Sequence, residues 1–259
     1  MKNNRLIIFK RISTTVANVI KTYSLNAEKS IDEKFREQIV NSIYLLTNIY
    51  VLLKSVADHP KQDKVTNKLL DSQILIWQAC NSMLAAFQLI RQGYPLEPQF
   101  LMRVAIESFS LAISFHVDES LYVKYKHRNL SGKDSISTAK VLIPELGQIY
   151  GLLSEVSHPS RRTIGNSYNT KSNSLIIGGG YTEHLSHRVL FNLSLLNYML
   201  LTLWKGSELV FFKFETDPKI WVKKDDSYIL RLDDSIKQFV ESIKIDFKKA
   251  IDSVDKTNL

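Results

Sequence analysis

Proline and glycine residues divide this sequence into long segments in which apolar residues recur every three or four positions. One segment runs from about residue 66 to Gln92 and is followed by Gly93 and Pro95, which end helices. Pro98 then lies in the first turn of the next segment, where its missing N–H costs nothing. A connection this short makes the two helices antiparallel neighbours. The pattern predicts an all-α fold, a multi-helix bundle.

Similar signals predict the other helices. A capping-box spacing from Ser30 to Glu33 predicts the start of a helix that His59 and Pro60 close. Further helices are predicted at about residues 97–116, 119–128, 137–157, 183–214 and 233–254. The core helices therefore span 66–215, and a C-terminal helix spans 232–255.

The segment around residues 160–181 differs from the rest because it is rich in Ser, Asn, Thr and Gly. Within it, Thr163–Ile164 and Ser174–Ile177 predict a short hairpin-like loop insertion. The apolar run Val189–Trp204 is shorter than the roughly 20 residues that span a bilayer, so a central core helix is predicted there. Neither a repeat nor a domain boundary is evident, and residues 1–259 are interpreted as a single helical domain.

Positive charge is concentrated at the N-terminus. The chain has a formal net charge of +8, and its first acidic residue is Glu28. Residues 1–27 are predicted to form a basic amphipathic helix. Three interpretations stay open: a helix docked on the body, a membrane-surface or nucleic-acid contact, and a transit peptide. The net charge favours nucleic acid or another anionic ligand as a partner.

Cysteine content limits the chemistry. Cys80 is the single cysteine, which excludes an internal disulfide and a cysteine-based zinc site, and its apolar helical surroundings predict a buried, inert thiol. His184 and His187 stand three apart, not four as in the metalloprotease motif, so neither a metal nor a cofactor is predicted. The absence of a signal-like segment and of disulfides predicts a cytoplasmic protein without a transmembrane segment.

Two helices carry polar residues that ordinary packing explains poorly. On a helical wheel of residues 97–116, polar side chains fall on one strip of an otherwise apolar surface: Gln99, Arg103, Glu107, Ser110 and Ser114. Arg103 and Glu107 are four residues apart and can form an ion pair.

The helix predicted over 137–157 has an apolar face and an opposite face with few charges. That second face holds Gly147, Tyr150, Gly151, Ser154, Ser157 and His158. Two glycines four apart predict the close approach of another backbone or of a ligand, because each internal glycine costs about 1 kcal/mol relative to alanine. If the two polar faces meet, Arg103 could bind an anion and His158 could act as a protonated imidazole at a helix C-terminus. Arg161 and Arg162 would add secondary anion contacts. The alternative is an internal network that only fixes helix register.

These residues also resemble a known family. The helix containing Phe100-Leu101-Met102-Arg103-Val104-Ala105-Ile106-Glu107, followed by one ending Tyr150-Gly151-Leu152-Leu153-Ser154-Glu155-Val156-Ser157-His158-Pro159, is similar to an all-helical bacterial family catalogued as domain of unknown function number 5677. The resemblance covers about residues 73–214 and implies a helical fold without supplying an activity.

A weaker resemblance links the chain to HEPN-like helical domains, many of which are ribonucleases. Their signature is an arginine followed four to six residues later by a histidine, and the six histidines here lack that spacing. The resemblance therefore implies the fold without the ribonuclease motif.

Two functions remain open. The first is a helical interaction or regulatory protein with a buried Arg–Glu/Ser–His network, acting through its surface and possible as a homo-oligomer. The second is a binding module or hydrolase that uses the same residues on an anionic or nucleotide-like ligand, RNA included. A solvent-open pocket beside Arg103 and His158 would favour the second, and a sealed, fully paired network would favour the first.

Overall fold

The structure is a computed structural model that describes residues 24–58, 66–130, 132–157, 168–169, 174–175, 180–181, 183–212, 220–224, 227–230 and 234–257. These residues form a helical bundle, as predicted. Nine α-helices are present among them: α1 (Leu25–Lys34), α2 (Arg36–Ala57), α3 (Asn67–Arg91), α4 (Glu97–Val117), α5 (Glu119–Lys126), α6 (Gly132–Leu142), α7 (Glu145–Ser157), α8 (Ser186–Val210) and α9 (Asp234–Thr257).

The centre of the bundle is α8. It packs against α2, α9, α3 and α4, and most of its side chains from Asn192 to Glu208 are buried. The prediction of a core helix over Val189–Trp204 is confirmed in that sense. A short 3₁₀ segment, Glu183–Leu185, precedes it where a continuous helix was predicted.

The α3–α4 pair is the most extensive helix contact, as the short connection predicted. Thr66 caps α3 by accepting a hydrogen bond from the Leu69 amide at 3.3 Å. Gly93 ends the turn after α3 with a φ of +79°, where a β-carbon would collide with the backbone of Gly180. The Gly180 amide donates to the Gln92 carbonyl at 3.0 Å, which joins the turn to the segment before α8.

Three details of the predicted helices are wrong. Ser30 does not begin a helix: it lies inside α1, and its hydroxyl donates to the Asn26 carbonyl. The true break is at Phe35, with φ −111° and ψ 34°, between α1 and α2. The long helix predicted over 137–157 is divided into α6 and α7, because Pro144 lacks an amide hydrogen and a proline inside a helix clashes with the preceding turn.

Short strands occupy two places. Tyr168–Asn169 (β1) pairs antiparallel with Ser174–Leu175 (β2), which confirms a hairpin in the predicted insertion. The first strand of this hairpin is Tyr168–Asn169. The predicted first strand, Thr163–Ile164, lies outside the described residues. A second hairpin, Trp221–Lys224 (β3) with Ser227–Leu230 (β4), lies between α8 and α9.

Of the predicted basic helix 1–27, residues 1–23 lie outside the described part of the chain, and residues 25–27 belong to α1.

A cluster of partly buried ion pairs connects α1 to the end of α3. The Arg91 guanidinium donates from Nε to Asp32 Oδ1 at 2.8 Å and lies 2.7 Å from Glu28 Oε1.

By length and composition, α2, α3 and α4 are apolar enough to cross a membrane. Within the bundle, between 44% and 50% of each apolar window is buried. Neither property decides where the protein resides, so a cytoplasmic location without a transmembrane segment stays a prediction.

Candidate functional site

The polar strip of α4 is positioned by the same periodicity that buries the rest of that helix. Met102, Ala105, Ile106 and Phe109 point into the core and are at most 1% exposed. Arg103 therefore lies on the flank of α4 that faces α7.

Arg103 meets Glu107 and Tyr150 there. Its Nε donates to Glu107 Oε1 at 3.0 Å, and its Nη2 donates to the Tyr150 hydroxyl at 3.4 Å. The guanidinium carbon also lies 5.4 Å from the centroid of the Tyr150 ring, a cation–π geometry. The structure thus brings together three of the residues that the sequence singled out, from two different helices.

The cluster is half-exposed. The side chain of Arg103 is 24% exposed and that of Glu107 is 38% exposed. This part of the network is therefore not the buried one that was expected. The hydrogen bond to Glu107 raises the pKa of Arg103, so the guanidinium keeps its charge at any working pH.

The other polar residues of the strip serve the interior. Gln99 is buried and donates to Asn192 Oδ1 at 2.8 Å, while Asn192 donates to the Pro95 carbonyl at 3.0 Å. Ser114 is buried and donates to the Leu111 carbonyl of its own helix at 2.8 Å. The Gln99–Asn192 hydrogen bond holds α4 against α8, and the Ser114 hydrogen bond lies within α4. Both are structural.

Ser110, which is buried, and Ser154, which is partly buried, lie next to the cluster in sequence. Ser110 follows Glu107 by three residues, and its hydroxyl makes no hydrogen bond within the described part of the chain. Ser154 lies one turn after Tyr150 on α7, with a buried hydroxyl oxygen. His158, Arg161 and Arg162 lie outside the described residues.

Within the described part of the chain, no other backbone lies close to Gly147 or Gly151, and the close approach of a ligand stays a prediction. A β-carbon on Gly147 would meet only the side chain of Lys140 at 3.6 Å, and one on Gly151 would meet nothing within 4 Å. The close approach occurs at Gly206 on α8, where a β-carbon would lie 2.5 Å from Phe109 Cζ and 2.6 Å from Ile143 Cδ1. Sequence alone did not indicate it, because a single glycine in an apolar helix has no periodic signature.

Cys80 is fully buried, as predicted, and burial raises the pKa of its thiol to about 12. The thiol is therefore protonated at neutral pH and is a poor nucleophile. Across the described ranges, no group of three or more His, Cys, Asp or Glu side chains could hold a metal ion.

One pair was missed by the sequence reasoning. His116, at the end of α4, places Nε2 at 3.0 Å from the Ser72 hydroxyl of α3. The pKa of His116 is lowered to about 4, mainly by burial. The positive charge of Lys68 also lowers this pKa, and the smaller effect of Glu119 raises it. The two residues are 44 positions apart, so only the packing of α3 on α4 could show the contact.

Comparisons of the chain with protein-family models, with curated proteins and with solved structures give no match. The two family resemblances therefore stay predictions.

Proposed function

We propose that this protein is a helical binding module that recognises an anionic, phosphate-bearing ligand through Arg103. One observation carries the proposal: the Arg103 guanidinium is fixed by Glu107 and Tyr150 while part of it stays accessible to solvent. A planar cation held in one orientation matches the two oxygens of a phosphate or carboxylate and loses little side-chain entropy on binding.

A purely structural role explains this arginine less well. Glu107 belongs to the same helix, so the ion pair does not join two helices. An exposed pair four residues apart contributes about 0.3–0.5 kcal/mol, and the order with the cation first is the less favourable one. With Tyr150 of α7, Arg103 makes a hydrogen bond of 3.4 Å and a cation–π stack, and these two contacts stabilise the packing only modestly.

The nucleotide-like class is supported by the surroundings. The chain carries a formal net charge of +8, which raises the local concentration of anions. Tyr150 places an aromatic ring beside the cation, and aromatic rings stack on nucleic-acid bases. A phosphate on Arg103 with a base near Tyr150 would use both groups.

Fluorescence polarisation of a labelled single-stranded RNA decamer tests the proposal, with competition by inorganic phosphate and by a nucleoside monophosphate. The wild-type protein should bind the decamer with an affinity that falls as salt rises. Arg103→Gln should weaken binding by roughly tenfold or more, because a charge-assisted hydrogen bond is lost. Competition by the monophosphate alone would identify the small nucleotide as the ligand class.

Arg36→Gln is the matched control. Arg36 is exposed at the start of α2 and carries the same charge, so its loss tests the effect of net charge alone. Its affinity should stay within about twofold of the wild type. If Arg103→Gln and Arg36→Gln weaken binding equally, or if neither does while both proteins stay folded, Arg103 is not a recognition residue.

The second candidate is an interaction or regulatory protein that acts through its surface. It is favoured by a different observation: α3 carries no charged residue from Ser72 to Ile90 and exposes large apolar side chains. The binding module is proposed without hydrolase activity. His158, the residue expected to supply acid–base chemistry, lies outside the described residues.

A further inference from the structure

The outer surface of α3 lacks the charges expected of a helix facing water. From Ser72 to Ile90, α3 contains no Asp, Glu, Lys or Arg. Large apolar side chains on both helices are exposed instead: Leu70, Ile74, Leu84, Phe100 and Val104, between 37% and 55%. We call these residues, with the groove between the two helices, the α3–α4 face. Exposed apolar area of this extent marks an interaction site.

The groove has a volume of about 680 Å³ and is shallow. Its lining includes Ile74, Trp77, Gln78, Asn81, Ala85 and Leu101. Trp77 is held by Tyr50 of α2, whose ring centroid lies 5.1 Å away, and the Tyr50 hydroxyl donates to Asn81 Oδ1 at 2.9 Å. The aromatic and amide groups of the groove are therefore fixed before any partner arrives.

We infer that the α3–α4 face binds a second copy of this chain and makes the protein a homodimer. This inference is independent of the anion site proposed above. The uncharged stretch of α3 has 19 residues and is about 28 Å long, and two packed helices are about 20 Å wide. Two such faces bury on the order of 1,100 Å² together, which exceeds the roughly 1,000 Å² of a specific interface.

The charge pattern selects the partner. Two chains of net charge +8 repel each other, and the α3 part of the face, which has no lysine or arginine from Ser72 to Ile90, is where they can meet without like positive charges in contact. A two-fold dimer requires a self-complementary patch, and this face offers both parts. Ridge residues such as Ile74 and Phe100 can enter the partner's groove while the partner's enter this one.

Other occupants fit less well. Nucleic acid requires cations, and the α3 part of the face has none. A lipid bilayer would leave the amides of Gln78, Asn81 and Gln88 without water, whereas a protein interface can supply hydrogen bonds to them.

Sedimentation velocity and light scattering of the full chain without detergent test the dimer. The wild-type protein should show twice the 29.8 kDa mass of one chain at micromolar concentration. Ile74→Lys should raise the dissociation constant at least tenfold, because it places a charge in the apolar contact. Gln78→Glu, which keeps the shape of an exposed side chain, should act in the same direction and guards against misfolding of the first variant.

Ile245→Lys is the matched control. Ile245 lies on α9, is 50% exposed and undergoes the same substitution outside the α3–α4 face. It should leave the dimer intact. Three results would each overturn the inference. The first is a wild-type monomer at about 100 µM, a concentration that corresponds to weak association. The others are a dimer unaffected by Ile74→Lys and Gln78→Glu, and a protein recovered only with detergent.

Discussion

The guanidinium carbon of Arg103 lies 5.4 Å from the centroid of the Tyr150 ring, so one stacked pair joins α4 to α7 at the surface of the bundle. The same guanidinium is tied to Glu107 within its own helix. Among the described residues, Glu107 of the same helix and Tyr150 of α7 orient the cation. Glu107 and Tyr150 thus position Arg103, while the accessible part of its guanidinium is left for a ligand.

The stack on Tyr150 predicts a difference between two substitutions. Tyr150→Phe keeps the ring and loses only a hydrogen bond of 3.4 Å, so affinity for the RNA decamer should change by less than about twofold. Tyr150→Leu removes the ring, and the loss of about 0.5–1 kcal/mol of cation–π energy should weaken binding roughly two- to fivefold. The polarisation assay measures both. Equal affinities for the two variants would show that the ring does not position Arg103.

Glu107→Gln should strengthen binding of an anionic probe. The amide oxygen of glutamine can still accept the hydrogen bond from Arg103 Nε, while the negative charge that repels the probe is removed. We expect an increase of roughly two- to tenfold at low salt and a smaller one at high salt. A decrease would mean that the carboxylate itself contacts the ligand, for example by accepting a hydrogen bond from it.

The glycines predict opposite effects of one substitution. Gly206→Ala places a β-carbon 2.5 Å from Phe109 Cζ, and overpacking should destabilise the protein by about 1–3 kcal/mol even after the gain in helix propensity. Gly151→Ala meets open space and should stabilise α7 by about 0.5–1 kcal/mol. Urea unfolding of both variants measures the free energy of unfolding. Stabilisation of Gly206→Ala would contradict the packing of α8 on α4.

His116 predicts a loss of stability in mild acid. Its pKa is lowered to about 4 in the folded protein from an ordinary value of 6.5, so between these values the unfolded chain binds a proton that the folded one does not. The contribution of neutral His116 to the free energy of unfolding is therefore fully present above pH 6.5 and decreases as the pH drops towards 4. Below pH 4 this group causes no further loss of stability. Allowing for the partly exposed ring, we expect a loss on the order of 1–2 kcal/mol.

The measurement is the free energy of unfolding from pH 7 to pH 4 for the wild type and for His116→Gln. Other groups titrate in both proteins, so their difference isolates His116. Ser72, Lys68 and Glu119 face the ring and stay unchanged in the comparison. Parallel curves for the two proteins would show that folding does not lower the pKa of His116.

Local signals in the sequence predicted most of the helices. The end of α3 followed from Gly93 and Pro95, and the start of α4 from Pro98, because backbone sterics act over a few residues. The break at Pro144 was equally local and could have been predicted from the same rule. The start of α1 was misplaced because a capping-box spacing occurs by chance and Ser30 can also bond within a helix.

The candidate site was half predictable. Helical periodicity placed Arg103 and Glu107 on one strip and Tyr150 on another helix, and the packing of α4 on α7 brought them together. Periodicity could not tell a buried strip from a half-exposed one, since exposure depends on where neighbouring helices end. Nor could it show that no described backbone lies close to Gly147 and Gly151, because the neighbours of a helix face are set by distant residues.

The sequence by itself determined that this chain forms helices, where most of them end and which residues share a face, because these depend on backbone sterics and on a period of 3.6 residues. Only the tertiary structure decided which faces meet. The contact of His116 with Ser72, the tight fit at Gly206 and the exposed apolar residues of the α3–α4 face all depend on side chains far apart in sequence. Their pairing is settled by the packing of whole helices, which no local pattern encodes.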